Sequence, residues 1–311
     1  MERLCRLRPD MIEQVLAWDN LDAAWLLVAD NRGAPGVDSV SIQRFARHWE
    51  ENLRRLRELV RANRYQPAKL RRIAIFKPGG GQRLLSIPTV GDRVLQRAVL
   101  NVLDDAFDRD FLDCSYGYRE KRSLKDAVAA ILRYRDQGRE WVLDADIDEC
   151  FDSLDHALLL SFLAEKVDDP LVMGLLRAWL KLGRRYRDPD RGIPLGMPIS
   201  PLFCNIYLHR LDQALRRGRW AVVRYADDFV VFCTSQRQAE RAREVVAEIL
   251  AELRLRLEPQ KTQIASFREG FEYLGVRFQG QEYSFLYQEK RFAVEGPTPR
   301  WLWGYLPADY E

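Results

Sequence analysis

Val222-Val223-Arg224-Tyr225-Ala226-Asp227-Asp228-Phe229-Val230-Val231-Phe232-Cys233 sets two apolar, β-prone runs around a pair of adjacent carboxylates. The pattern predicts a tight hairpin with Asp227 and Asp228 at or beside its turn. Two like charges side by side among apolar residues repel, and partial desolvation worsens this unless a cation is present. Mg²⁺ suits such a pair, because it takes hard oxygen ligands, usually one or two carboxylates plus substrate phosphates. A solvated acidic turn accounts for this stretch equally well when it is taken alone. A third carboxylate is needed to make a site.

Trp141-Val142-Leu143-Asp144-Ala145-Asp146-Ile147-Asp148-Glu149-Cys150-Phe151-Asp152 offers one. Up to Ile147 the alternation is that of a strand, which puts Asp144 and Asp146 on one face and Leu143, Ala145 and Ile147 on the other. A carboxylate-bearing strand end beside a carboxylate-bearing hairpin is what a two-metal phosphoryl-transfer site requires.

Tyr225-Ala226-Asp227-Asp228 resembles the catalytic box of reverse transcriptases, and Asp146-Ile147 with Phe151 five residues after Asp146 resembles the first catalytic motif of that family. Further stretches resemble bacterial group II intron-like enzymes in order and spacing: Asn31 to Asp38, Ile87 to Ala98, Ser115-Tyr116-Gly117-Tyr118-Arg119, Gly196-Met197-Pro198-Ile199-Ser200-Pro201, Pro259-Gln260-Lys261-Thr262 and Tyr273-Leu274-Gly275. The resemblance covers about residues 20 to 280. It implies an α/β (α+β) right-hand polymerase, with fingers and palm, an antiparallel palm sheet with packed helices, and a thumb that is short or absent. On this basis residues 1–105 are expected to form helical fingers with a β-hairpin over 70–88, residues 106–285 the palm, and residues 286–311 a short tail or truncated thumb.

The implied chemistry is RNA-directed DNA synthesis, in which a primer 3′-OH attacks the α-phosphate of a dNTP. Two Mg²⁺ ions, with Mn²⁺ able to substitute, would be held by Asp146, the backbone of Ile147 and Asp227, with Asp228 in support. Lys261 resembles a lysine placed near the leaving pyrophosphate, a plausible general acid. Lys77 and Arg83 are carried over as triphosphate ligands on a hairpin that closes over the nucleotide. Phe151 resembles the steric gate against a ribose 2′-OH. The resemblance places Gly196 in the nucleotide pocket, together with Leu195, where the family usually has Gln. Tyr273, Leu274 and Gly275 resemble the turn that grips the primer end.

Bulk composition fits a globular chain: 311 residues, 47% hydrophobic and 31% charged, are enough for two or three substructures. No apolar run approaches the ~18 residues of a membrane span and no signal-peptide core is visible, so a cytoplasmic protein without membrane contact is expected. Five scattered cysteines and three scattered histidines show neither disulfide nor zinc spacing. The net charge of +3 is small, but residues 54–83 hold ten Lys or Arg against Glu58 alone. That local field, which includes Arg72, favours template phosphates over a merely solvated face, since solvated faces mix signs. The interleaved Tyr116-Gly117-Tyr118-Arg119-Glu120-Lys121-Arg122 suits either a template backbone, through Arg119, or packing beside the Ser123 helix cap.

Apolar spacing predicts helices over 10–30, Ser41–Leu59, Pro88–Phe107, Ser123–Arg135, 156–182, Leu202–Leu215 and Gln236–Leu253. Gly192, Pro194, Gly196, Pro198 and Pro201 mark a backbone that must approach something closely. Leu195 and the short tail further resemble the CRISPR-associated branch, whose role is copying RNA into spacers beside an adaptation integrase. An RNA-binding maturase-like protein and untemplated DNA synthesis in phage defence are the alternatives.

Overall fold

The computed structural model describes residues 11–76, 82–183, 188–287 and 290–295. The chain divides into two compact units, one from residues 1–110 and 151–207 and the other from 111–150 and 208–311. Each is therefore assembled from two separated stretches of chain.

The first unit is mainly helical. The Trp18–Asp30 helix packs along the Val90–Asp108 helix and buries Leu21, Ala24, Trp25 and Val28, with the Trp25 ring 5.0 Å from Phe45. The long helix begins two residues later than its apolar spacing suggests, because Thr89 is the cap. Thr89 Oγ1 accepts from Asp92 N at 3.2 Å and donates to the Asp92 carboxylate at 2.7 Å, which offsets unpaired groups of the first turn. The continuous helix expected over Ser41–Leu59 is instead two, Ile42–Ala46 and Trp49–Arg61. His48 stands between them at φ −136°, and its N–H closes a tight turn on Phe45 O at 3.2 Å. Apolar period survives this break, so the sequence pattern cannot register it.

Strands β1 (Arg71–Phe76) and β2 (Gln82–Ile87) pair antiparallel with Phe76 opposite Gln82, as the expected hairpin requires. The Gly79-Gly80-Gly81 tip and Lys77 lie outside the described residues. The glycine- and proline-rich loop after Arg191 packs directly on β2: Ser86 N donates to Leu195 O at 2.7 Å. Gly196 has φ +103°, and a Cβ there would lie 2.6 Å from Ser86 O. That contact is the close approach the loop composition implies.

The second unit is built on a four-stranded antiparallel sheet. Its strands are β3 (Trp141–Ala145), β4 (Ala221–Tyr225), β5 (Asp228–Cys233) and β6 (Gln263–Ser266), in the order β4-β5-β3-β6. The Leu124–Asp136 helix, opened by a Ser123/Asp126 capping box, packs on β4, and the Gln236–Glu252 helix packs on β3 and β5. A second antiparallel sheet contains β7 (Phe271–Tyr273), β8 (Val276–Gln279), β9 (Glu282–Tyr287) and β10 (Lys290–Glu295) in the order β10-β9-β8-β7. Phe232, Phe267, Phe271, Phe278 and Tyr283 join the two sheets in one buried cluster. This is the mixed helical and antiparallel architecture expected from the sequence, with strands β8–β10 added beyond it. No helix among the described residues is long and apolar enough to cross a membrane.

Candidate active site

Tyr225 and Asp228 pair across β4 and β5, leaving Ala226 and Asp227 as the two-residue turn. Ala226 takes φ +60°, a left-handed conformation that costs an L-residue about 1–2 kcal/mol. Surrounding contacts hold it there. Arg224 Nη1 donates to Ala226 O at 2.7 Å, and a Cβ on Gly117 would stand 2.3 Å from Ala226 N. Glycine at 117 is thus what lets the Ser115–Gly117 segment lie against the turn. That segment is pinned in turn, with Tyr116 N donating to Arg224 O at 2.8 Å and Arg224 N to Cys114 O at 2.7 Å.

β3 pairs with β5 through Ala145↔Phe229, so its carboxyl end reaches the level of the turn. Asp146 follows that end. Its backbone is fixed by Glu258 N donating to Asp146 O at 2.9 Å, and its carboxylate accepts from Lys261 Nζ at 2.8 Å. Ile147 is buried and bridges to Leu257. Asp144 accepts from Gln263 Nε2 at 3.0 Å. The Tyr273 hydroxyl donates to Asp228 O at 3.0 Å, which ties the β7–β8 turn to the β4–β5 hairpin.

These carboxylates share one field. Asp228 is pushed up to about 6, first by protein that displaces water around it, then by the charges of Asp227, Asp146 and Asp144, with Lys261 opposing. Part of the Asp228 surface remains open to solvent, so the charge repulsion is screened rather than fully expressed. Burial raises Asp144 too, with Asp146 adding to it. The Asp146 carboxylate beside it holds the Lys261 ammonium above the usual lysine range. Crowded acidic oxygens fit a hard divalent cation. Among the described residues no group of three or more His, Cys, Asp and Glu side chains is arranged to hold a metal ion. Mg²⁺ uses one or two carboxylates and completes its shell with water and phosphate, so an open set is adequate.

Other residues singled out from the sequence fall as follows. Tyr273 pairs with Val276 across a two-residue turn in which Leu274 and Gly275 both have positive φ, +52° and +73°. Arg119 is buried, and its Nη1 donates to Leu112 O at 2.9 Å and Ser115 O at 2.8 Å. Its guanidinium lies 5.5 Å from the Phe111 ring, so it serves the packing alternative left open by the sequence. In the first unit, Arg72 is exposed on β1 opposite Ser86. Arg83 lies on β2 opposite Ile75, with its side chain outside the described part. Phe151 is buried, and Ile193 N donates to its carbonyl at 2.7 Å.

Arg224 and Asp212 were not among the expected site residues. A charged residue in the middle of an apolar strand, Val222-Val223-Arg224, is the signal that could have marked the first of them.

A sequence model described as "Reverse transcriptase (RNA-dependent DNA polymerase)" matches residues 75–278. The chain is 32% identical over 296 residues to Protein YkfC of Escherichia coli K12, covering 81% of this chain and 78% of that protein. It is 33% identical over 214 residues to the group II intron-encoded protein LtrA of Lactococcus lactis, covering 67% of this chain but only 34% of LtrA. A telomerase structure from Candida tropicalis superposes with a TM-score of 0.52 at 13% identity, over 75% of this chain and 59% of that one, a likeness of fold.

Proposed function

Since this chain belongs to the reverse transcriptase (RNA-dependent DNA polymerase) family, we propose that it extends a primer 3′-OH along an RNA template by phosphoryl transfer at the Asp227-Asp228 turn. The observation that carries this is the shared field of Asp146, Asp227 and Asp228 at one end of the β4-β5-β3 sheet. Asp146, the Ile147 carbonyl and Asp227 would hold two Mg²⁺ ions, with Asp228 in support. Bound there, the ions supply activation of the primer hydroxyl and neutralise charge on the transferred phosphate.

The chain's own groups have separable tasks. Lys261 screens Asp146 before substrate arrives and afterwards offers a proton to the leaving pyrophosphate. Tyr273 fixes the height of Asp228 through its backbone carbonyl, and the Leu274-Gly275 turn positions the primer end. On the first unit Lys77, Arg83, Phe151, Leu195 and Gly196 are the proposed nucleotide contacts, and Arg72 a proposed template contact. The resemblance at Leu195 extends the proposal to spacer acquisition from RNA, with a CRISPR adaptation integrase as the partner to seek by co-purification.

The test is extension of oligo(dT) on poly(rA) with dTTP and Mg²⁺, for the intact chain and for Asp227→Asn. Synthesis by the first and none by the second is expected. Undiminished synthesis by Asp227→Asn would sink the assignment. Template-independent addition by the intact chain would favour the untemplated alternative.

A further inference from the structure

A cleft in the second unit runs beside β4, from Trp220, which precedes the strand, to Cys114 and Tyr116, whose backbones pair with Arg224. It encloses about 330 Å³ between the Leu124–Asp136 helix, the end of the Ser200–Arg217 helix and the start of β4. Trp220 lies on its wall immediately before Ala221. The five residues of β4, at about 3.3 Å each, put some 17 Å between this wall and the turn. A second cavity of about 430 Å³ adjoins it, and Tyr116 and Arg133 line both.

The charge in these cavities is unevenly committed. Each carboxylate on the walls already has a partner. Asp113 accepts from Arg122 at 2.7 Å, Asp126 from the Ser123 hydroxyl at 2.8 Å, and Asp212 from Arg224 at 2.6 Å. Arg133 and Arg216 are exposed on the walls and form no ion pair among the described residues, and Lys121 is likewise exposed on the second cavity. Guanidinium groups outside any ion pair, beside a half-exposed indole, give the two contacts a nucleic-acid strand needs. These are charge-assisted bonds to phosphate and a flat apolar face for a base. An acidic peptide could use the cations but would leave the indole without a stacking partner.

We propose that this double cleft is a second binding site for a single nucleic-acid strand, in which Arg133 and Arg216 bind phosphates and Trp220 stacks on a base. It would keep template or product on the protein at a distance from the catalytic turn. From the Tyr116–Arg122 segment, Tyr116 stands between the two cavities, and Lys121 and Arg122 line the second. This inference goes beyond the polymerase proposal, because a strand can be held here whether or not the turn polymerises.

The test compares the intact chain with Arg133→Glu/Arg216→Glu, using fluorescein-labelled poly(rA) and poly(dA) over a range of salt concentrations. The double variant is expected to bind both strands about tenfold more weakly. Its plot of log affinity against log salt should flatten by about 1.4, from two phosphates at roughly 0.7 each on a single strand. Extension of a short oligo(dT)·oligo(rA) duplex should be unchanged. A 4-thiouridine strand should crosslink at Trp220, and Trp220→Phe should abolish that crosslink. Equal affinity and equal salt slope in the variant would overturn the site, as would polyglutamate displacing poly(rA) as well as poly(dA) does. If the glutamate variant does not fold, Arg133→Gln/Arg216→Gln is judged by the same two readouts. Loss of duplex extension in the intact chain counts against the polymerase proposal alone.

Discussion

Arg224 and Asp212 form an ion pair with neither side chain exposed, Nε to Oδ1 at 2.8 Å and Nη2 to Oδ2 at 2.6 Å. The guanidinium also donates to Ala226 O and, at 2.8 Å, to Ser115 Oγ. One buried cation therefore links the body of the unit to the carbonyl of the strained turn residue. Breaking one partner of such a pair typically costs about 3–5 kcal/mol, while replacing both with apolar groups can be nearly neutral. Asp212→Asn should lower unfolding free energy by roughly that amount in urea. Arg224→Met/Asp212→Leu should recover most of the stability but not synthesis, because Ala226 O has lost its donor. Recovery of both would show that the pair serves folding alone.

Asp228 bears a cost in the absence of cations. Its carboxyl is raised to about 6, above the ordinary 3.8, so the native state favours the protonated form. Stability should be greatest below about pH 4 on this account and decline as pH rises towards 6, since the unfolded chain releases the proton earlier. Solvent screening at this partly open site limits the effect to about 1 kcal/mol. Asp228→Asn should flatten that window and raise the neutral-pH midpoint of the metal-free chain, while abolishing primer extension. A variant no more stable than the parent in EDTA would contradict the repulsion.

Lys261 pairs with Asp146 while most of its own side chain, 65%, stays exposed. Lys261→Ala should leave folding intact, since an exposed pair contributes under about 1 kcal/mol. Loss of a general acid should lower kcat for dTTP incorporation by about 10²-fold, and the basic limb of the pH–rate profile should disappear. A change confined to KM would assign Lys261 to nucleotide binding instead.

Gly117→Ala is a test of the turn from outside it. The added methyl would meet Ala226 N at 2.3 Å, and the opposing atom is backbone with little room to move. A loss of about 1–3 kcal/mol is expected from overpacking, with primer extension reduced more than stability alone explains. Full activity in this variant would mean that the Ser115–Gly117 segment does not set the position of the turn.

Much of the proposed site was legible because its carboxylates sit in short stretches of regular pattern. The apolar runs around Asp227-Asp228 predicted a hairpin, and the alternation through Trp141–Ile147 placed Asp146 at a strand end. Residue type, order and spacing sufficed for these, since backbone period is local. The helix cap at Ser123 was local in the same way, whereas the Thr89 cap was not read and shifted a boundary.

Contacts between distant stretches were not legible. Nothing in the sequence pairs Arg224 with Asp212, aims Lys261 at Asp146, or sets Gly117 against Ala226, because these depend on how strands and helices pack. Arg119, beside Tyr118 in a basic stretch, suited either a template backbone or packing by sequence, and only the fold shows its guanidinium on two backbone carbonyls. Likewise the Gly192–Pro201 loop announced a close approach, and only the fold identified β2 as what it approaches. By itself the sequence determined the family motifs and the carboxylates proposed to carry the chemistry. The tertiary structure decided what holds them in place, since a buried charge or a glycine without a Cβ acquires its meaning from the atoms across from it.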